Sequence, residues 1–433
     1  MEFIKAKLQD IADSEKGSII SGPFGSNISS KFFVEKGIPV IRGNNLTLGE
    51  KKYVDDGYVF ITQEKADELK CWAIENDLIF TAAGTIGQVG ILVQPLRFDK
   101  YVISNKQIRV RLNNRKINNL YAYYWFSSPW IIKRLQNNNK GSTVPLLTLS
   151  EIKELPIFYP NNLSTQKKIA NVLSCIDDKI ALNNKTNTEL ENMAKTIYGY
   201  WFTQFDFPDK NGHPYKTSGG QMVYNETLKR EIPADWEVKS LSQICELQRG
   251  VTYGKDDEMS ENDDNVVQIL RGNNISNNHI VYDSNTVYVS SNLVTEEQKI
   301  KKFDVVITMS SGSKEHVGKS AMFLFDSPHS YGAFCNKLTP LNESQFFVEN
   351  FMHSNFFKTY INHVCIGTGI NNLKGEHFDK VYFAYPTDSV LKQFNEIMKS
   401  IYEKRSYMEQ ANEELLRLRD YLLPLLMNGQ IEV

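Results

Sequence analysis

The stretch most suggestive of chemistry is Ser313-Lys314-Glu315-His316-Val317-Gly318-Lys319-Ser320. Its Gly-Lys-Ser ending is that of a loop whose backbone N–H groups cradle phosphate while the lysine reaches the terminal oxygens. That loop needs glycine at position 313, where Ser313 stands; Gly312 comes one residue too early. A Gly-rich turn between strands is the better reading. The seven histidines (213, 279, 316, 329, 353, 363, 377) have no metal-ligand spacing, and His363 with Cys365 is weak evidence alone. G-x-S-x-G is absent, as are the F-x-G-x-G and (Asn/Asp)-Pro-Pro-(Tyr/Phe) signatures of methyltransferases. The expectation is a chain without catalysis, metal or cofactor of its own.

Composition narrows the class. The 433 residues are 41% hydrophobic and 23% charged. This is enough apolar material for real cores and about two to four domains. Five scattered cysteines without C-x-x-C argue against a disulfide framework. No apolar run of about 18 residues and no signal pattern occur, so a cytoplasmic chain without a membrane span is expected. The net charge of −2 does not announce a nucleic-acid binder. It is unevenly spread: +5 over residues 1–160, +2 over 161–230, −7 over 231–386 and −2 over 387–433. The acidic run at 256–264 reads as a solvated loop, because charges this dense repel.

The elements that would position any site repeat. Ile41-Arg42-Gly43-Asn44-Asn45 recurs as Leu270-Arg271-Gly272-Asn273-Asn274, and Asp77 before an apolar run recurs as Asp304. Ser104-Asn105-Lys106 is matched with Cys335-Asn336-Lys337, Gly141 with Gly367 and Leu147 with Leu373. A repeat this long is a duplicated domain in the order A–B–A′–B′. The A units mix short β-rich runs with Gly/Asn turns, and each carries one helical stretch, 119–135 and 347–361. The B units are helices. Ile169, Leu173, Ile176, Ile180, Asn183, Asn187, Leu190, Ala194, Ile197 and Trp201 follow at 4-3 spacing, as do Phe394, Met398, Ile401, Arg405, Met408, Asn412, Leu415, Arg419 and Leu422. This is a coiled-coil seam. Ser164 is the expected N-cap and Pro424 the expected stop. The predicted fold class is α+β, two duplicated domains separated by two long coiled-coil helices. The divisions are 1–160, a central helix at 161–205, an irregular connector at 206–230, a second domain at 231–386 and a C-terminal helix at 387–433.

Over nearly its whole length the chain resembles the specificity subunits of bacterial Type I restriction-modification systems. The matching stretches are Gly22-Pro23-Phe24-Gly25-Ser26 before GIPVIRGNNL, and Gly141-Ser142-Thr143 leading to LTLSEIKELPIFYP. Gln166-Lys167-Lys168-Ile169-Ala170, the linker beginning DFPDKNGHPYKTSGG and the tail LLPLLMNGQIEV complete them. The resemblance implies two target recognition domains, each reading half of a bipartite, asymmetric site in double-stranded DNA. It implies helices that pair antiparallel, separate the two domains and dock two modification (methyltransferase) subunits. S-adenosylmethionine would bind those partners, and ATP and Mg would serve separate restriction (translocase and nuclease) subunits.

Sequence is read at base edges by Arg, Lys, Asn and Gln, and phosphates are held by Lys, Arg, Ser and backbone N–H groups. Candidate DNA contacts are therefore Arg42 and Arg271 before Gly-Asn-Asn, and Thr85, Gln88, Ser313, Lys314 and His316 in Gly-rich loops. Lys106, Lys337, Lys140 and Ser142 join them. Arg42 and Arg271 have a structural salt bridge as the competing role, and Lys106 and Lys337 a solvated strand end. Apolar side chains off the helix seams, Val172, Met193, Ile397 and Leu416, are candidate partner-binding positions.

Overall fold

The computed structural model describes residues 2–49, 51–137, 146–276, 278–281, 286–365 and 371–433. They form two compact units, Met1–Leu182 with Asn412–Val433, and Asn183–Ala411.

The first unit is built around the strand Leu78–Thr81, whose four residues are all buried. Its alternation explains the continuous apolar run. Leu78 and Phe80 belong to a core shared with helices, whereas Ile79 points into a second core under another sheet. The strand is central in an antiparallel sheet ordered Ile19–Ser21, Gln107–Val110, Leu78–Thr81, Val89–Ile91. The second sheet runs Val59–Ile61, Ile38–Ile41, Tyr101–Ile103, Trp72–Ala73, with Ile38–Ile41 and Tyr101–Ile103 parallel.

The second unit repeats this plan. Val305–Thr308 takes the central place in a sheet ordered Cys245–Arg249, Cys335–Pro340, Val305–Thr308, Ser320–Met322. Val305 and Ile307 face the helical core and Val306 a second one. Val266–Leu270 and Ser330–Tyr331 supply the parallel pair.

Matching backbone bonds fix the frame of the repeat. Ala82 N donates to Lys106 O (2.7 Å) and Met309 N to Phe334 O (2.8 Å); Ser104 N donates to Ile41 O and Gly332 N to Leu270 O (both 2.9 Å). Thr81 N to Gln88 O and Thr308 N to Lys319 O form a third pair. Ser104 therefore corresponds to Gly332, and Lys106 to Phe334. The expected match of Ser104-Asn105-Lys106 with Cys335-Asn336-Lys337 is out of frame by three residues. The true counterpart of Lys337 is Arg109: Ile79 pairs with Arg109 across the sheet as Val306 pairs with Lys337.

Each expected helical stretch is two helices. Asn119–Phe126 and Pro129–Asn137 are separated at Ser127-Ser128, with Pro129 at a first helical position where its missing N–H costs nothing. Gln345–Met352 and Asn355–Val364 break at Ser354, whose side chain caps Phe357 N.

The central helix, Leu163–Tyr198, has 36 residues and the C-terminal helix, Asp388–Met427, has 40, so about 54 and 60 Å. The cap of the first is Asn162, not Ser164: Asn162 Oδ1 accepts from Ser164 N at 2.7 Å. Pro424 lies inside the last turn of the second. The seams are buried as their spacing requires. In the first unit Ile169 and Leu173 share a core with Leu423, Leu426 and Met427. In the second, Ala194, Tyr198 and Trp201 share one with Phe394, Met398 and Ile401. The start of each helix thus meets the end of the other, which is antiparallel pairing.

The stretch expected to be an irregular connector is ordered. Phe207 stacks on Tyr215 (4.7 Å between centroids) and on Trp236 (5.2 Å), and Met222–Asn225 pairs with Arg230–Pro233. The acidic run is exposed, but it includes a short edge strand, Glu258–Met259, against Val287–Ser290.

Candidate nucleic-acid interface

In the first unit, three segments that leave the sheets converge on a cleft of about 540 Å³. Arg42-Gly43-Asn44 follow Ile38–Ile41, Ala83-Gly84-Thr85 and Gln88 follow Leu78–Thr81, and Ser104 to Gln107 join Tyr101–Ile103 to the next strand. The structure thus gathers four sequence candidates, Arg42, Thr85, Gln88 and Lys106, and none of the lining residues is acidic.

Their roles differ. Lys106 and Thr85 are exposed. The Thr85 turn includes Gly84 at φ +101°, where a Cβ would meet nothing within 4 Å, so the loop backbone is open to a large ligand. Arg42 is half-buried, and its guanidinium reaches Gly57 O at 3.4 Å. Gln88 is committed to the fold: its Oε1 accepts from Thr81 Oγ1 (3.0 Å) and its Nε2 donates to Leu46 O (2.9 Å). Asn45 is likewise internal, accepting from Arg42 N and donating to Val54 O and Asp56 O. At the opposite end of the central strand, buried Asp77 takes two bonds from Arg111, at 2.9 and 2.8 Å. These bonds raise the guanidinium above its ordinary value, whereas burial lowers that of neighbouring Arg109.

The second unit does not assemble its candidates in the same way. Lys337 is 5% exposed, its ammonium 2.8 Å from Lys299 O and 3.2 Å from Asp304. It is a buried structural cation, neither a DNA contact nor a solvated strand end. His316 Nδ1 lies 3.2 Å from Lys319 Nζ. Ser313 is exposed beside it, and Lys314 opens the turn Lys314–His316. The Lys314 side chain lies outside what the structure describes, as do Lys140 and Ser142. Arg271 repeats the backbone bond of Arg42, with its N–H on Asn274 Oδ1 at 2.9 Å. A separate cleft of about 310 Å³ near Gly318 takes in Lys319, His353 and Lys358, but none of the sequence candidates. At the place of Lys106 stands Phe334, 70% exposed. Sequence reading passed it over because the Asn-Lys pair at 336–337 imitated the match; counting from the strand-pairing residues would have found it.

Of the partner-binding candidates, Met193 (54%), Ile397 (41%) and Leu416 (39%) are exposed. Val172 is half-buried, packed against the first unit's own core. In the second unit a charged group ties the hairpin Ile275–Ser276/His279–Ile280 to the helices. Glu191 accepts from Arg405 (2.8 Å) and from His279 (3.0 Å), with Glu409 within 4.0 Å of His279. The Glu191 hydrogen bond holds His279 above its ordinary value. Burial pushes the Glu409 carboxyl up.

Residues 2–192 and 233–417 both match the Type I restriction modification DNA specificity domain. The chain belongs to that family. It is a specificity chain of a restriction-modification system, not a catalytic one. The MjaIX specificity subunit of Methanocaldococcus jannaschii is 27% identical over 99% of this chain and 93% of its own length. The StySPI specificity subunit of Salmonella potsdam is 33% identical over 46% of this chain and 44% of its own. The crystal structure of a Type I S subunit from M. genitalium shares the fold, with a TM-score of 0.54 at 15% identity, covering 98% of this chain and 96% of that one. Among the described residues no three His, Cys, Asp or Glu side chains could hold a metal, and no helix is long and apolar enough to cross a membrane.

Proposed function

We propose that this specificity chain reads a bipartite, asymmetric site in double-stranded DNA, one half with each repeated domain. The observation that carries the reading is the pairing of one frame with two different faces. The backbone bonds that hold the loops recur in both units, but Lys106 and Gln88 of the first stand where Phe334 and Lys319 stand in the second. Identical readers would demand a palindrome; two unlike readers on one chain select two unlike half-sites. Arg42, Thr85 and Lys106 are the proposed DNA-facing residues of the first domain, and Arg271, Ser313, Lys314 and His316 those of the second. Gln88 positions the first loop.

The exposed positions Met193, Ile397 and Leu416 mark helix faces for two modification subunits, which would bind S-adenosylmethionine, with restriction subunits using ATP and Mg. The test is selection of duplexes from a random pool by the chain assembled with its modification subunits. Two dissimilar half-sites at a fixed gap are expected. Recovery of a palindrome, or of no sequence, would overturn the proposal.

A further inference from the structure

Phe334 has a fixed backbone and a free ring. Its carbonyl accepts from Met309 N (2.8 Å) and Ser310 N (3.2 Å), and the neighbouring turn is closed by Gly332 N on Leu270 O and Cys335 N on Gly332 O. The pedestal is therefore rigid at both ends. The side chain is 70% exposed and joins none of the three cores described in its unit. In the first domain the same backbone position holds Lys106, on the rim of the cleft. A flexible cation there suits phosphate or a purine edge; a flat ring with two rotatable bonds can do neither. What a phenyl ring recognises in the major groove of a duplex is its one apolar group, the C5-methyl of thymine.

We infer that Phe334 is a specificity-determining residue of the second domain and packs on the methyl group of a thymine in its half-site. The inference rests on the DNA-reading proposal and names the chemistry one of its readers selects. Rigidity matters here. A methyl contact has no directional hydrogen bond to hold it, so discrimination depends on the ring being already in place.

The experiment uses the full chain with its modification subunits and the duplex they select from a random pool. Each thymine of both half-sites is replaced singly by uracil, which removes only the C5-methyl. For the wild type, one replacement in one half-site is expected to weaken binding about three- to fivefold, the value of one buried methyl group. With Phe334→Ala that sensitivity is expected to vanish. Phe334→Lys is expected to remove it as well and to raise the salt dependence by about one counterion. Phe356→Ala, which removes another exposed ring, on the helix Asn355–Val364, should leave it unchanged. Equal melting temperatures of the variants exclude a folding effect. A site in which no thymine responds, or a response that survives Phe334→Ala, overturns the inference and leaves the DNA-reading proposal standing. Failure to select any duplex overturns both.

Discussion

Replacing Lys337 by methionine separates a buried cation from a DNA contact. The side chains keep similar length, so packing is nearly preserved and the charge is what changes. Asp304, itself buried, would retain Lys301 N at 2.7 Å and Thr339 Oγ1 at 2.6 Å but lose the ammonium at 3.2 Å. Removing one partner of a buried pair typically costs about 3–5 kcal/mol. The two remaining donors place this case at the lower end, about 3 kcal/mol. For a unit of this size each kcal/mol moves the midpoint by about 2–4 °C, so the transition of the second unit should fall by about 6–12 °C. Adding Asp304→Asn removes the stranded charge and should recover most of the loss. Calorimetry of the four chains measures the cycle, and DNA titration against salt accompanies it. A variant of unchanged midpoint whose salt slope drops by about one would refute the argument and return Lys337 to the DNA.

Further outcomes follow from other parts of the molecule. His279 gains a carboxylate partner on folding, so its contribution is fully present below its unfolded value of about 6.5 and is lost as pH rises through the higher folded value. The melting-temperature difference between wild type and His279→Gln should therefore be largest near pH 6 and shrink toward alkaline pH; a difference that grows with pH would contradict it. Charging the exposed helix positions, Met193→Asp with Ile397→Asp, should abolish capture of modification subunits in native mass measurements while leaving the midpoint within about 1 °C, since neither side chain supports a core. Seven residues added to both helices keep the seam in phase and lengthen each by about 10.5 Å. The selected gap should then widen by up to about three base pairs at about 3.4 Å each, and altered half-sites with an unaltered gap would show that spacing is set elsewhere.

The seams were legible because burial enforces them: Ile169, Leu173, Phe394 and Met398 stand at the predicted spacing and are buried. Duplication was legible too, through Arg-Gly-Asn-Asn, because Asn45 and Asn274 each hold the arginine N–H and a distant carbonyl. The frame around Lys106 was not. It is set by backbone bonds that accept any side chain, so residue identity there carries no register signal, and a chance Asn-Lys pair misled the alignment. The helix breaks at Pro129 and Ser354 were written in the sequence as a proline and a capping serine, but flanking apolar runs concealed them. Sequence gathered Arg42, Thr85, Gln88 and Lys106 as candidates, yet only the bonds of Gln88 reveal that it holds a loop in place.

The first unit is not a contiguous piece of chain. Leu423, Leu426 and Met427 sit in one core with Leu8, Ile11 and Leu173, and the ring of Phe3 lies against Gly429. During synthesis the second unit, continuous from 183 to 411, has all its residues before the first can close. The amino-terminal domain waits, with part of its core open, until the last helix has left the ribosome. Its order of completion is thus the reverse of its order of translation. A premature stop or frameshift near codon 412 would damage the domain made first, and the cell would meet a truncated product with a sound second unit and an exposed, protease-sensitive first one.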